Sequence, residues 1–223
     1  MMSTQEREKS SGGVEMVEII IHPKKLNPDP PISGFLEGYV LDLHSTSMAS
    51  SADPYFPTSS QRTPLGELLY QLKYDKARSN DQRSRIAAQI VDILKKVIKN
   101  KWNSHQIHCI VPSPPSLKRE IQPVQLLARN LAESLSLPVE DVLYKVGNVK
   151  SMKDIEDYES RKDSIAHTLK GRENSISNKT VLFLDDIFDS GCTLRRSIEV
   201  LIKNCRARAV LVLVLTRTQN QWL

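Results

Sequence analysis

The chain has 223 residues, a hydrophobic content of 39% and a formal net charge of +5. This suits one sizeable α/β domain with an appended segment, and the small, dispersed excess of cations disfavours nucleic-acid binding as the main activity. No run approaches the roughly 18 apolar residues of a membrane span, and residues 1–13 lack the apolar core of a signal peptide. We therefore predict a cytoplasmic protein without membrane contact.

The first 60 residues predict a tail and a small β element. Residues 1–15 are polar and mixed in charge, as in a flexible tail. The segment 16–60 has strand patterns over 17–21 and 38–44, joined by a proline-rich connection and followed by a loop rich in Ser, Ala and Pro. We place the main domain at 61–223.

The main domain alternates helical and strand patterns, which predicts an open parallel sheet flanked by helices, in the α/β class. Helices are predicted over 64–74, 82–99, 124–136, 161–169 and 192–204. Thr63 would cap the first of them, with Pro64 at its first position. Strands are predicted over 107–111, 141–146, 180–184 and 209–215.

The stretch 180–194, Thr-Val-Leu-Phe-Leu-Asp-Asp-Ile-Phe-Asp-Ser-Gly-Cys-Thr-Leu, is the most informative part of the chain. Its apolar run is typical of a strand buried on both faces. It ends in Asp185 and Asp186, where open α/β sheets bind ligands. Adjacent carboxylates repel each other, so two ribose hydroxyls, or water around a Mg2+ ion, would supply their missing partners.

The loop after these carboxylates is suited to an anion. It consists of Asp189, Ser190, Gly191, Cys192 and Thr193. Gly191 permits positive φ or close approach, and the helix that follows favours negative charge at its N-terminus. A 5′-phosphate fits there, with the Ser190 and Thr193 hydroxyls as donors and Cys192 giving its backbone N–H. Ordinary helix capping is the alternative interpretation, and a reactive thiol at Cys192 is another.

The stretch resembles the phosphoribosyl-diphosphate (PRPP) signature of type I phosphoribosyltransferases. From about 62 to 218, the order of motifs resembles the ComF-like (amidophosphoribosyltransferase-like) branch of that family. Supporting matches are Leu68–Tyr74, Val111–Pro114 and Arg161. The N-terminal zinc ribbon common in that branch is missing, since residues 1–60 contain no cysteine. The expected Arg-Gly-Phe-Asn-Gln run is replaced by Glu-Ile-Gln-Pro-Val-Gln at 120–125.

The resemblance implies a Mg2+-dependent pentosyltransferase that moves phosphoribosyl from PRPP to a small-molecule acceptor, with a purine or an amine left open, and releases diphosphate. Asp185 and Asp186 would hold the ribose hydroxyls and, through water, the Mg2+ ion. The Asp-Ser-Gly sequence is similar to that of hypoxanthine–guanine phosphoribosyltransferases, which implies Asp189 as a general base. The alternative is that Asp189 caps the following helix.

Other groups are candidates for contacts to diphosphate or acceptor. The diphosphate candidates are Ser113, Lys118, Arg119, Lys153 and Arg161. The last two lie in the segment 147–162, which is either a lid or a charged surface loop. A hood over the acceptor would come from the N-terminal β segment or from Trp222. The competing function is a PRPP-binding regulatory or adaptor protein linked to nucleic-acid handling, with little catalysis. The sequence leaves open a nucleic-acid or protein partner, a homodimer, and a cis-proline at 113–115.

Overall fold

The computed structural model describes residues 19–47, 60–75, 77–102, 107–115, 122–146 and 165–218. The strands are β1 Lys24–Lys25, β2 Phe35–Leu43, β3 Ser45–Ser47, β4 Ser60–Arg62, β5 Cys109–Pro112, β6 Leu143–Lys145, β7 Leu169–Gly171, β8 Thr180–Phe188 and β9 Ala209–Arg217. The helices are α1 Pro64–Tyr74, α2 Asn80–Lys101, α3 Pro123–Leu135 and α4 Cys192–Lys203. A short helical turn at 165–168 leads directly into β7.

Within the described ranges, the main sheet has five strands in the order β1-β2-β9-β8-β5. The pairs β2–β9, β9–β8 and β8–β5 are parallel, and the two-residue β1 runs antiparallel at the edge. Two short antiparallel ladders, β3–β4 and β6–β7, lie outside this sheet. The predicted fold class, an open parallel sheet flanked by helices, is confirmed.

Both faces of the central strands are covered, as their unbroken apolar sequence predicts. Alternate residues of β8 point to opposite faces because side chains on a strand alternate. Leu182 and Leu184 join the core formed with α1, α2 and α3. Val181 and Phe183 join the second core, which lies under α4. The carboxyl end of β8 therefore lies between two helical layers. The residues of β8 that follow the buried stretch 181–184 are partly exposed there.

The N-terminal segment differs from the prediction in one strand. Residues 19–21 form no strand, although Ile19 and Ile21 pack against the core, and residues 17 and 18 lie outside the described residues. The strand predicted over 38–44 is present as β2, and it pairs with β9 in the main sheet. Part of the predicted 16–60 segment thus completes this sheet. The boundary at residue 61 stays a prediction.

Other differences concern the ends of elements. The predicted helix over 161–169 is helical only at 165–168, and β7 begins at Leu169 because it pairs with β6. Strand β8 continues through the acidic pair to Phe188, where it still pairs with β9. Among the described residues, the cis peptide bond is Asp29–Pro30, and neither Ser113–Pro114 nor Pro114–Pro115 is cis.

Candidate active site

The two carboxylates lie at the carboxyl end of β8, where the sequence places them. Asp185 pairs in register with Val214 of β9, and Asp185 and Asp186 are both partly exposed residues. Asp186 follows the alternation that directs Leu184 to the α1 side of the sheet. Because β8 continues beyond them, the two side chains project from a fixed strand and not from a loose loop. This gives the pair a rigid support.

Asp185 is held by two donors. The Ser113 hydroxyl, at the end of β5, donates to Asp185 Oδ1 at 2.6 Å, and the Asp186 backbone N–H donates to the same oxygen at 2.9 Å. The Gln125 amide in turn donates to the Ser113 carbonyl at 2.9 Å. Burial, followed by the neighbouring Asp186 charge, raises the pKa of Asp185 to about 6. The two hydrogen bonds and the charge of Lys73 act in the opposite direction.

Asp186 forms an ion pair with a lysine that the sequence analysis did not assign to the site. Lys73 Nζ, from the last turn of α1, lies 2.5 Å from Asp186 Oδ2. A second lysine, Lys145 in β6, interacts with both carboxylates, while burial lowers its pKa. The acidic pair therefore faces cations from two other elements, which offset part of its negative charge.

The loop between β8 and α4 has the conformation that an anion site needs. Gly191 has φ of 77° and is the N-cap of α4 without a side-chain cap hydrogen bond. The first N–H groups of a helix need partners, and here no cap side chain supplies one. A small pocket of about 70 Å³ opens at this point. Its lining includes Asp185, Asp189, Ser190, Gly191 and Thr193.

In the loop 189–193, the Asp189 side chain is hydrogen-bonded and the Cys192 side chain is buried. Asp189 accepts a hydrogen bond from the Thr218 hydroxyl at 2.9 Å, and the cap position of α4 belongs to Gly191 instead. The interpretation of Asp189 as the helix cap is therefore wrong. Cys192 is buried beside Ile165 and Leu169, so its thiol faces the core and only its backbone is available to a ligand.

A second and larger cavity of about 610 Å³ adjoins the loop 189–193, which we call the phosphate loop after the prediction for it. It shares Phe188, Ser190, Gly191 and Leu194 with the small pocket. The remaining wall comes from the segment that leads into β2, from the first residue of β2 and from α4: Leu26, Asn27, Pro28, Asp29, Ile32, Phe35, Arg195 and Ile198. Arg195 Nη2 donates to the Pro30 carbonyl at 2.8 Å, which ties the segment to α4. The wall is mostly apolar, with a few polar groups.

The structure brings some of the predicted site residues together. Asp185, Asp189, Ser190, Gly191 and Thr193 line one pocket, Asp186 adjoins Asp185, and Ser113 is bonded to Asp185. Lys118, Arg119, Lys153, Arg161 and Trp222 lie outside the described residues. Lys73 was singled out as part of a resembling motif, but nothing in its local pattern shows that α1 delivers it to Asp186. Nothing in the local sequence around Lys145 indicates that it lies near the acidic pair.

Comparison with known proteins supports the enzyme class that the sequence predicts. Residues 124–222 match the family model of the phosphoribosyl transferase domain. The matched part of the chain contains the acidic pair and the loop 189–193, and the match agrees with the predicted class, a phosphoribosyltransferase. The match does not select the ComF-like branch, which stays a prediction. Among curated proteins no match was found.

Three matching solved structures are adenine phosphoribosyltransferases. The Trypanosoma brucei enzyme, with AMP, pyrophosphate and ribose-5-phosphate, is 16% identical, with 79% of this chain and 70% of that chain covered and a TM-score of 0.45. The Thermoanaerobacter pseudethanolicus enzyme is 14% identical, with coverage of 61% and 71% and a TM-score of 0.43. The Saccharomyces cerevisiae enzyme is 16% identical, with coverage of 58% and 69% and a TM-score of 0.39. Likeness at this level carries no argument about the substrate.

Two further properties concern clusters of metal ligands and membrane-spanning helices. No cluster of three or more His, Cys, Asp or Glu side chains that could hold a metal ion occurs within the described ranges. In the same part of the chain, no helix combines the length and apolarity that crossing a bilayer requires.

Proposed function

We propose that this protein binds PRPP at the acidic pair and the 189–193 loop, and transfers its phosphoribosyl group to a small-molecule acceptor. The observation that carries the proposal is one arrangement: two carboxylates on β8 stand beside the N-terminus of α4, whose Gly191 cap has no side chain. Negative charge is favoured at that helix terminus, while hydroxyl donors are favoured at the carboxylates. A ribose 5-phosphate presents a phosphate and a pair of hydroxyls within one small molecule.

Each part of PRPP then has a partner. The 5′-phosphate accepts hydrogen bonds from the backbone N–H groups of the loop and from the Ser190 and Thr193 hydroxyls. The ribose hydroxyls donate to Asp185 and Asp186. In the reaction the bond from C1 to the diphosphate oxygen breaks with its electron pair, and a bond from an acceptor nitrogen to C1 forms. Holding both reactants in place accounts for much of the rate enhancement expected.

The carboxylates fit a Mg2+ ion that is held mainly by other oxygens. Mg2+ prefers oxygen ligands in octahedral geometry and keeps several waters, so one or two carboxylates are enough when substrate phosphates complete the shell. The oxygen-only donor set of Asp185 and Asp186 suits this preference. When bound, the ion would offset the negative charge that develops on the leaving diphosphate.

The remaining diphosphate contacts are proposals on residues outside the described ranges. Lys118 and Arg119 follow β5 closely, and Lys153 and Arg161 lie between β6 and β7. The β6–β7 ladder pairs Lys145 with Leu169, so it brings together the two ends of the segment that contains Lys153 and Arg161. Since Lys145 interacts with both carboxylates, this segment starts and ends near the site. That supports the proposed lid.

Replacing Asp189 tests whether the protein is a transferase with Asp189 as its general base or a regulatory or adaptor protein. Asp189→Asn keeps the size and the acceptor oxygen for Thr218, but it removes the charge that takes a proton from the acceptor nitrogen. We expect turnover, measured as diphosphate release, to fall by about 10²–10⁴-fold. PRPP affinity, measured by calorimetry, should stay within about twofold. The control is the exposed Asp92→Asn on α2. Unchanged turnover would exclude Asp189 as the base, whereas PRPP binding without turnover in the wild type would favour the regulatory or adaptor alternative.

We place the acceptor in the 610 Å³ cavity beside the phosphate loop. Ligand pockets of about 300–1,000 Å³ with apolar walls and a few polar groups are typical small-molecule sites. The cavity meets the PRPP pocket at Phe188 and Leu194, so an occupant would lie next to the sugar. Apolar side chains suit the faces of a flat ring, and Asn27 and Asp29 offer hydrogen bonds to its edge. This favours a heteroaromatic acceptor such as a purine over a small aliphatic amine.

Filling the cavity tests this placement. Ile32 lines only the larger cavity, so Ile32→Trp should occupy acceptor space without touching the phosphate loop. With adenine, guanine or hypoxanthine as acceptor, we expect diphosphate release to fall by about tenfold or more, with PRPP affinity retained. The matched control is Ile20→Trp, at a side chain that is 71% exposed. Full turnover of Ile32→Trp would place the acceptor elsewhere.

A further inference from the structure

Lys73 is nearly buried in the candidate site. Its side chain is 7% exposed, and its Nζ lies 2.5 Å from Asp186 Oδ2. Burying an ammonium group is costly unless an anion compensates it. The carboxylate of Asp186, 22% exposed, is such an anion. The ion pair joins α1 to β8, elements far apart in the sequence, at a position where the proposed ligand must reach.

The position of Lys73 is set by the way α1 begins. Thr63 caps α1 by accepting from the Gly66 N–H at 3.0 Å, and its hydroxyl donates to the Leu43 carbonyl at 2.6 Å. This fixes the first turn of α1 against the end of β2. Leu65, Leu69 and Leu72 are buried in the core, which fixes the rotation of the helix. Lys73 follows Leu72 in the same helix, so the packing of the whole helix places its side chain beside the acidic pair.

Lysine side chains offset part of the negative charge of the pair without any ligand. Asp185 and Asp186 are opposed by Lys73 and by Lys145, which interacts with both carboxylates. A divalent cation that approached the pair alone would have to displace the Lys73 ammonium from Asp186. The displaced ammonium would then be buried without its partner, which is strongly unfavourable for an ion. Metal binding to the ligand-free site is therefore opposed.

We propose that Lys73 is the built-in counter-ion of the acidic pair, a positioning residue that keeps divalent metal out of the empty site and admits it only together with PRPP. The inference deepens the proposed function and rests on it for the second part. PRPP changes the balance because its diphosphate brings oxygen ligands for the metal and an anionic partner for Lys73. The order of binding is then metal with substrate, not metal before substrate.

The first test uses Mn2+ alone, followed by electron paramagnetic resonance of the free ion. Lys73→Met removes the charge and keeps most of the side-chain volume. We expect it to bind Mn2+ about tenfold or more tightly than the wild type, because Asp186 is left uncompensated. Lys73→Arg and the exposed Lys99→Met should stay within about twofold of the wild type. The gain should vanish in Lys73→Met/Asp186→Asn. A lysine with a merely structural role would change stability and leave Mn2+ affinity unaltered.

The proposal is overturned if Lys73→Met binds Mn2+ no more tightly than the wild type, or if the gain survives Asp186→Asn. Should Lys73→Met fail to fold, the wild type decides: Mn2+ should bind weakly alone and tightly with PRPP. Tight binding of Mn2+ alone would contradict the proposal. If PRPP itself does not bind, the proposed function fails, but the Mn2+ comparison still decides whether Lys73 opposes metal binding.

Discussion

Asp185→Asn is expected to stabilise the ligand-free protein by on the order of 2–3 kcal/mol near pH 8, while it weakens PRPP binding. Burial and the Asp186 charge raise the pKa of Asp185 from 3.8 to about 6. A carboxyl group whose folded-state pKa is raised stabilises the fold fully below its unfolded pKa. That contribution is lost as the pH rises through about 6. Asparagine removes the penalty and keeps the acceptor oxygen for Ser113.

The measurement is denaturant unfolding of both proteins in EDTA from about pH 4 to pH 8. The difference in unfolding free energy should be small near pH 4 and should reach its maximum above about pH 7. The nearby charges of Asp186, Lys73 and Lys145 are present in both proteins. The exposed Asp141→Asn should show no such pH dependence. If Asp185→Asn is less stable than the wild type at pH 8, the charged form of Asp185 does not destabilise the fold. A residue such as Asp185 that lowers the stability of the fold is expected where the side chain serves ligand binding.

Gly66→Ala is expected to destabilise the protein by about 2–3 kcal/mol, although alanine is the better helix former. A Cβ at this position would overlap the backbone carbonyl oxygen of His44 and lie 3.1 Å from Thr63 Oγ1. Neither group can move easily, since the His44 N–H donates to the Arg217 carbonyl at 2.8 Å and Thr63 caps the helix. The start of α1 would have to shift away from β2.

Thermal or denaturant unfolding of Gly66→Ala measures this effect, with Ser84→Ala on the exposed face of α2 as the control. Intrinsic propensity alone predicts a gain of about 0.5–1 kcal/mol for Gly66→Ala, so the sign of the change distinguishes the two expectations. A stabilised variant would mean that α1 is not held against β2 by this contact. The account of how Lys73 is delivered to Asp186 would then fail as well.

The main helices and strands were predictable because their patterns are strong and local. Thr63 and Pro64 mark the start of α1, and the apolar runs of β8 and β9 mark strands covered on both faces. Weaker patterns failed. The apolar residues at 19–21 pack on the core without pairing, and the three-residue β7 exists only because β6 lies beside it. Such elements depend on partners that a local pattern does not show.

The part of the candidate site that lies in one local sequence pattern was also predictable. The acidic pair, the glycine and the hydroxyls lie in one continuous stretch whose chemistry can be derived residue by residue. Lys73 and Lys145 reach the pair from α1 and β6, so their role depends on tertiary packing. The alternative interpretation of Asp189 as a helix cap was wrong because Gly191 holds that position, and Asp189 accepts a hydrogen bond from Thr218 instead.

Calorimetric titration of PRPP, with and without Mg2+, tests the central claim most directly. The wild type and Asp185→Asn/Asp186→Asn should be compared, with the folded state of each checked beforehand. We predict saturable binding by the wild type that is stronger with Mg2+ and is lost in the double variant. A well-folded wild type that does not bind PRPP, or a double variant that binds it equally well, would contradict a PRPP site at the acidic pair.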